Sequence, residues 1–83
     1  MIPLTDRLRA ALRLAGDAEI LDHDGTLTVK VDSVERRYRD AIKAGATPVE
    51  APRDEVGLGA WRRIGRLRDG AEGPVVTIWS DRG

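Results

Sequence analysis

LTVKVDSVERRYRDAIKAGATPVEA, residues 27–51, changes its hydrophobic period twice, and these changes decide the fold. Apolar residues first alternate with polar ones, which is typical of a strand with one buried face, at Leu27, Val29 and Val31. Helical spacing follows, with one apolar stripe formed by Val34, Tyr38, Ala41 and Ile42. Asp32 and Glu35 have the spacing of a capping box, and Gly45 suits a helix end. The stretch therefore predicts a strand, a helix over 33–44 and a second strand.

The C-terminal half contains turn residues and short apolar runs. We predict a short edge strand over 46–51, since Pro48 cannot donate to a neighbouring strand, and a loop over 52–59. The segment 60–68 fits a helix or a strand, but Gly65 and the turn-forming residues after it favour a strand. Its partner would be 75–80, which is apolar on both faces and should be central or covered.

The N-terminal part predicts a helix over 5–15, with an apolar stripe at Leu4, Leu8, Ala11, Leu12 and Ala15. Asp24-Gly25 then predicts a hairpin turn between a short strand, 18–21, and the strand that begins near Leu27. The predicted fold class is α+β: an N-terminal helix followed by a (β)βαβββ module with a mixed, curved sheet. We expect residues 1–83 to form a single domain, with the helix in 1–16 and the module in 18–80.

Composition excludes several classes of protein. The 83 residues include 14 basic and 14 acidic ones, so the total charge favours neither nucleic acid nor a membrane as a partner. The chain has no cysteine, no apolar run of membrane-spanning length and no secretory leader pattern, which together predict a cytoplasmic protein. A chain this short buries only about 60% of its unfolded surface, and association is a common remedy.

DHDGTLT, residues 22–28, resembles the first motif of the haloacid-dehalogenase phosphohydrolases, in which the two aspartates act as nucleophile and general acid/base. That motif belongs at the end of a buried parallel strand, which reads as a near-continuous apolar run. The residues before Asp22 are not such a run, and no lysine follows Lys43. We interpret the motif as a hairpin turn, with no catalytic residue, metal or cofactor; the alternative metal ligands are Asp22, His23 and Asp24.

A second resemblance covers residues 27–79. A strand runs into VDSV, 31–34; a helix ends at AGA, 44–46; EAPRDE and a glycine-containing loop follow, and VVTIW, 75–79, closes the segment. This order is similar to one βαβββ module of the vicinal-oxygen-chelate superfamily, which includes glyoxalase I, extradiol dioxygenases and bleomycin-resistance proteins. The resemblance implies that two modules form a cupped sheet around a pocket, and therefore that this chain forms a homodimer.

The metal ligands of that superfamily are missing from the corresponding strands. The first and last strands of the module offer Thr28, Lys30 and Thr77, which are poor ligands beside imidazole or carboxylate. The resemblance therefore implies a small non-catalytic protein that binds or sequesters an apolar small molecule or another protein. Tyr38, Trp61 and Trp79 are the aromatic residues that would line its cleft, although ordinary packing in the core or the dimer would also explain them.

Two other functions stay open. The chain could be a structural or protein-interaction component, such as a phage or assembly protein. Alternatively, Arg62, Arg66 and Arg68 would project from one face of a strand towards phosphates, while Trp61 stacked on a base. The same basic row could instead pair with the acidic residues of 17–24.

Overall fold

The structure is a computed structural model that describes residues 4–14, 17–23, 25–57 and 60–81. It contains two helices, α1 (Asp6–Ala11) and α2 (Val34–Lys43). The strands are β1 (Ile20–His23), β2 (Thr26–Lys30), β3 (Thr47–Gly57), β4 (Ala60–Arg68) and β5 (Val75–Ser80). This order confirms the predicted α+β class. Neither helix of the described segments is long and apolar enough to cross a membrane.

The strands form one five-stranded mixed sheet in the order β1-β2-β5-β4-β3. β2 and β5 are parallel, and the other neighbouring strands are antiparallel. β5 occupies the centre of the sheet, as its two apolar faces predicted. From β2 onward the chain runs strand, helix and three strands, so the predicted (β)βαβββ order is confirmed.

Both helices contribute to a single apolar core on one face of the sheet, which we call the helix face. The strands supply Leu27, Val29, Leu67, Val76 and Ile78, all at most 2% exposed. The helical segments supply Leu8, Leu12, Val34 and Ala41 to the same cluster. Fully burying one such aliphatic side chain contributes about 1.5–3 kcal/mol. The opposite surface, which we call the open face, has neither α1 nor α2 packed on it.

The helix ends differ in detail from the sequence predictions. Ser33, rather than Asp32, caps α2, and its side chain accepts a hydrogen bond from the backbone N–H of Arg36. Gly45 follows α2 with a φ of +108°, as the sequence indicated. The helix predicted over 5–15 is shorter, because α1 ends at Ala11 and Arg13 adopts a positive φ of 54°.

The prediction of a loop over 52–59 is wrong for residues 52–57, which belong to β3. β3 is an edge strand, so its two prolines, Pro48 and Pro52, need not donate hydrogen bonds to a second neighbour. Register shifts between Pro48 and Arg53 absorb the irregular pairing with β4. The strand predicted over 60–68 and its pairing with β5 are confirmed.

The hairpin of β1 and β2 has the tight turn that the sequence predicted. His23 and Thr26 are the last paired residues, and Gly25 in the turn has a φ of +82°. Asp24, the other residue of the predicted turn, lies outside the described residues. Asp22 is exposed on the antiparallel edge strand β1, opposite Leu27, and not at the end of a buried parallel strand.

Replacing Gly25 with valine should lower the free energy of unfolding by about 1–2 kcal/mol, because an L side chain is strained at positive φ. Urea denaturation would measure the change. The control is Asp22→Asn, an exposed site in the same hairpin, which should leave the midpoint within error. A Gly25→Val variant as stable as the parent chain would contradict this turn geometry.

Candidate binding face

Strand register defines which side chains share the open face. Residues directly opposite each other on paired strands point to the same side, and three rows therefore cross the sheet. The first row contains His23, Thr26, Val75, Arg68 and Thr47. The second contains Leu21, Thr28, Thr77, Arg66 and Glu50. The third contains Lys30, Trp79, Ile64 and Arg53, with Arg62 and Glu55 beyond it.

Trp79 is the aromatic centre of this face. The guanidinium carbon of Arg62 lies 4.7 Å from the centroid of the Trp79 ring, and Lys30 Nζ lies 5.3 Å from it. Both distances are within the range of a cation–π interaction, worth about 0.5–1 kcal/mol at exposed sites. Lys30 also pairs with Asp81 at 3.2 Å, whereas Arg62 forms no ion pair with a carboxylate of the described residues.

Two grooves adjoin Trp79, and Leu21 and Thr28 line both of them. One, of about 330 Å³, is lined by Leu21, Thr28, Glu55, Arg62, Ile64, Thr77 and Trp79. The other, of about 510 Å³, is lined by Ala18, Glu19, Leu21, Thr28, Lys30, Val31, Asp32 and Trp79. Each groove thus combines an apolar wall with one basic side chain that contacts Trp79.

Ion pairs engage other charged side chains of the open face. Glu50 contacts both Arg53 and Arg66, and the Arg66 nitrogen lies 2.9 Å from the carboxylate. The hydrogen bond from Arg53, followed by that from Arg66, holds the pKa of Glu50 below its ordinary value. Arg66 Nε also donates to the Thr77 hydroxyl at 3.2 Å. This network fixes Arg66 between β3 and β5.

The predicted basic row is present in part. Arg62, Arg66 and Arg68 share the open face with Ile64 between them, as the strand pattern indicated. Arg66 is engaged by Glu50, however, and Arg68 donates to the carbonyl of Gly73 at 2.9 Å. The backbone of Trp61 belongs to β4, but its side chain lies outside the described residues.

The three aromatic residues predicted to line one cleft are not brought together in the described part of the chain. Tyr38 lies on the helix face, where a β-carbon added to Gly65 would stand 3.0 Å from its ring. Trp79 is on the open face beside Ile64. The sheet separates Tyr38 from Trp79, so Tyr38 packs against the core cluster and does not line the grooves. Burial raises the pKa of Tyr38 above its ordinary value of 10.0.

The structure does not group the described members of the alternative metal-ligand set, Asp22 and His23. Asp22 and His23 are consecutive in β1 and therefore point to opposite faces of the sheet. Asp24 lies outside the described residues. Among the residues that the structure describes, no three His, Asp or Glu side chains are grouped closely enough to hold a metal ion.

A depression of about 300 Å³ on another part of the surface has a structural explanation. It lies between the start of α1, the end of α2 and the turn at 69–70. Asp69 accepts hydrogen bonds from the backbone N–H and the hydroxyl of Thr5, at 2.8 and 3.1 Å. Arg7 donates to the carbonyl of Ala44 at 3.4 Å. These polar groups attach α1 to the rest of the domain.

Sequence reasoning missed several charged contacts. Arg37, only 3% exposed in α2, lies 3.2 Å from both Asp32 and Asp40. Arg63 joins α2 to the sheet through Glu35, and this hydrogen bond is the main cause of its raised pKa. Arg37 follows Val34 by three residues and precedes Ala41 by four, and this shared helix face was a local sign of its burial.

Comparisons with protein-family models, with curated proteins and with solved structures found no match.

The chain should lose stability as the pH rises above about 10. Burial raises the pKa of Tyr38 in the folded state, so the unfolded chain loses this proton first as the pH rises. Ionisation then lowers the free energy of the unfolded state relative to the native state. Tyr38 is the chain's one tyrosine, so ultraviolet titration of the phenolate reports it alone. Tyr38→Phe should remove the Tyr38 contribution to the pH dependence of unfolding. Phenolate formation at an ordinary pKa in the native protein would contradict this burial.

Proposed function

We propose that this chain is a small non-catalytic binding protein that works as a homodimer, with the open face of each copy forming one wall of a shared cleft. The main observation behind this proposal is the open face, which presents Trp79 and two grooves. Both described helices pack on the opposite, helix face of the sheet. The vicinal-oxygen-chelate-like order of elements supports pairing of two such modules.

Leu21 supports an apolar contact at this face. Leu21 lies on the open face opposite Thr28 and lines both grooves. Its apolar side chain is nevertheless 54% exposed to solvent. Ile64, in contrast, is 5% exposed on the same face. A second copy that covered Leu21 would remove apolar surface from water at about 25 cal/mol per Å². A short domain benefits from such burial because its own core is small.

The groups at the groove walls are suited to holding a ligand. Thr28 and Thr77 are directly opposite in the parallel pair β2–β5, and their hydroxyls can donate or accept hydrogen bonds. The positions that carry metal ligands in the resembling superfamily are occupied by these threonines and Lys30. Binding without chemical change is therefore the function that we propose.

Single-stranded nucleic acid is the second candidate. It is favoured by the placement of Arg62, Arg66 and Arg68 on the same face as Trp79. The affinity for a nucleic acid should fall steeply as the salt concentration rises, because phosphates that the protein neutralises release their counterions. The pairing of Arg66 with Glu50 reduces the positive charge available for that role.

We expect Leu21→Asp to shift the protein from dimer to monomer, because a carboxylate in a covered apolar contact carries a large desolvation cost. Val56→Asp is the matched control, because Val56 is equally exposed, at 57%, but belongs to the helix face. It lies there on the same side of β3 as Asp54, which pairs with Arg63. Trp79→Ala should weaken both dimerisation and folding, since Trp79 is half-buried.

Sedimentation velocity at micromolar concentration measures the assembly. A parent chain that sediments as a compact monomer of about 9.1 kDa would contradict the homodimer. A dimer that Leu21→Asp and Val56→Asp leave equally intact would place the interface away from the open face.

A further inference from the structure

The open face is more basic than the chain as a whole. The formal charge of the 83 residues is zero. Within the described strands, however, the rows of the open face carry five basic residues and two acidic ones: Lys30, Arg53, Arg62, Arg66 and Arg68 against Glu50 and Glu55. Two further acidic residues lie beside Lys30, since Asp81 pairs with it and Glu19 lines the same groove, so the net excess is one positive charge. This excess attracts anions, because like-signed groups on one face add their potentials.

Most of these cations are already engaged. Glu50 contacts Arg53 and Arg66, Asp81 contacts Lys30, and the Gly73 carbonyl accepts from Arg68. Arg62 differs, because the contact described for its guanidinium is the Trp79 ring, 4.7 Å away. No carboxylate or carbonyl of the described residues accepts a hydrogen bond from the Arg62 guanidinium, so all of its N–H donors are available to an anion.

Stacking on an aromatic ring is compatible with anion binding by the same guanidinium. A guanidinium above an aromatic ring can turn its π face to the ring, and its in-plane N–H donors can then hold a carboxylate or sulfonate through two parallel hydrogen bonds. Leu21, Ile64 and Trp79 line the groove next to Arg62 and provide apolar surface. Its volume of about 330 Å³ is at the small end of the range of ligand sites.

We propose that this groove binds a small apolar molecule that carries one carboxylate or sulfonate group, with Arg62 holding the anion and Leu21, Ile64 and Trp79 contacting the apolar body. The inference rests on the proposed binding function and adds the chemical class of the ligand. Glu55 lies opposite Arg62 in the β3–β4 register and lines the same groove, so its carboxylate opposes an anionic ligand.

Two fluorescent probes with nearly the same aromatic body test the charge requirement. 1-Anilinonaphthalene-8-sulfonate carries the sulfonate, and N-phenyl-1-naphthylamine lacks it. Titration of the parent protein should give tighter binding of the sulfonate, with an affinity that falls as salt rises.

Two substitutions should change sulfonate binding in opposite directions. Arg62→Gln should weaken it about fivefold, through the loss of a charged hydrogen-bond donor at a partly exposed site. Glu55→Gln should strengthen it, because a like charge is removed. Both variants should change binding of the neutral probe less than binding of the sulfonate, because the neutral probe makes no ion pair with the groove wall. Arg39→Gln, on the exposed surface of α2, should change neither probe. Circular dichroism of each variant establishes that it is folded.

The outcomes separate the ligand class from the binding function. Equal affinity for both probes, insensitive to Arg62→Gln, would overturn the anion preference and leave an apolar binding face. Failure of both probes to bind the folded dimer would overturn the groove as a small-molecule site. A single-stranded oligonucleotide that binds with a steep salt dependence, while neither probe competes with it, would overturn the inference in favour of nucleic acid.

Discussion

The parallel pairing of β2 with β5 is the constraint on which the rest of the structure depends. It places Leu27 opposite Val76 and Val29 opposite Ile78, and all four side chains are at most 2% exposed beneath the helices. Parallel neighbours cannot be joined by a tight turn, so α2, β3 and β4 all lie between them in sequence. The connection returns β5 to the centre of the sheet, between β2 and β4.

The same pairing creates the candidate binding face. In the register that buries Val29 against Ile78, the next pair is Lys30 and Trp79, which points to the other side. The antiparallel register with β4 then places Ile64 opposite Trp79, with Arg62 close enough to contact the ring. A shift of one residue in either register would exchange the two faces, so the stability of the core also fixes the groove.

Features that depend on neighbouring residues could be predicted from the sequence, whereas contacts that depend on strand register or helix packing could not. The alternation in β5, the Gly25 turn and the apolar stripe of α2 each depend on neighbouring residues, and each was predicted correctly. The extent of β3 was not, because an edge strand tolerates the prolines and charges that also mark a loop. The separation of Tyr38 from Trp79 depends on how α2 packs on β4, which no local pattern encodes. Arg62 and Trp79 were both singled out, but their contact required the β4–β5 register.

Local pairing of charges determines what the open face can still bind. Glu50 neutralises part of the row formed by Arg53 and Arg66, while on the helix face Glu35 and Asp54 pair with Arg63. These pairs are mostly exposed and add little stability individually, yet each occupies donors that a ligand would otherwise use. Arg62 contacts the Trp79 ring at 4.7 Å, and no carboxylate of the described residues pairs with it, so its N–H donors are open to a ligand. The selectivity of such a face therefore follows less from its total charge than from which cation its own carboxylates leave available.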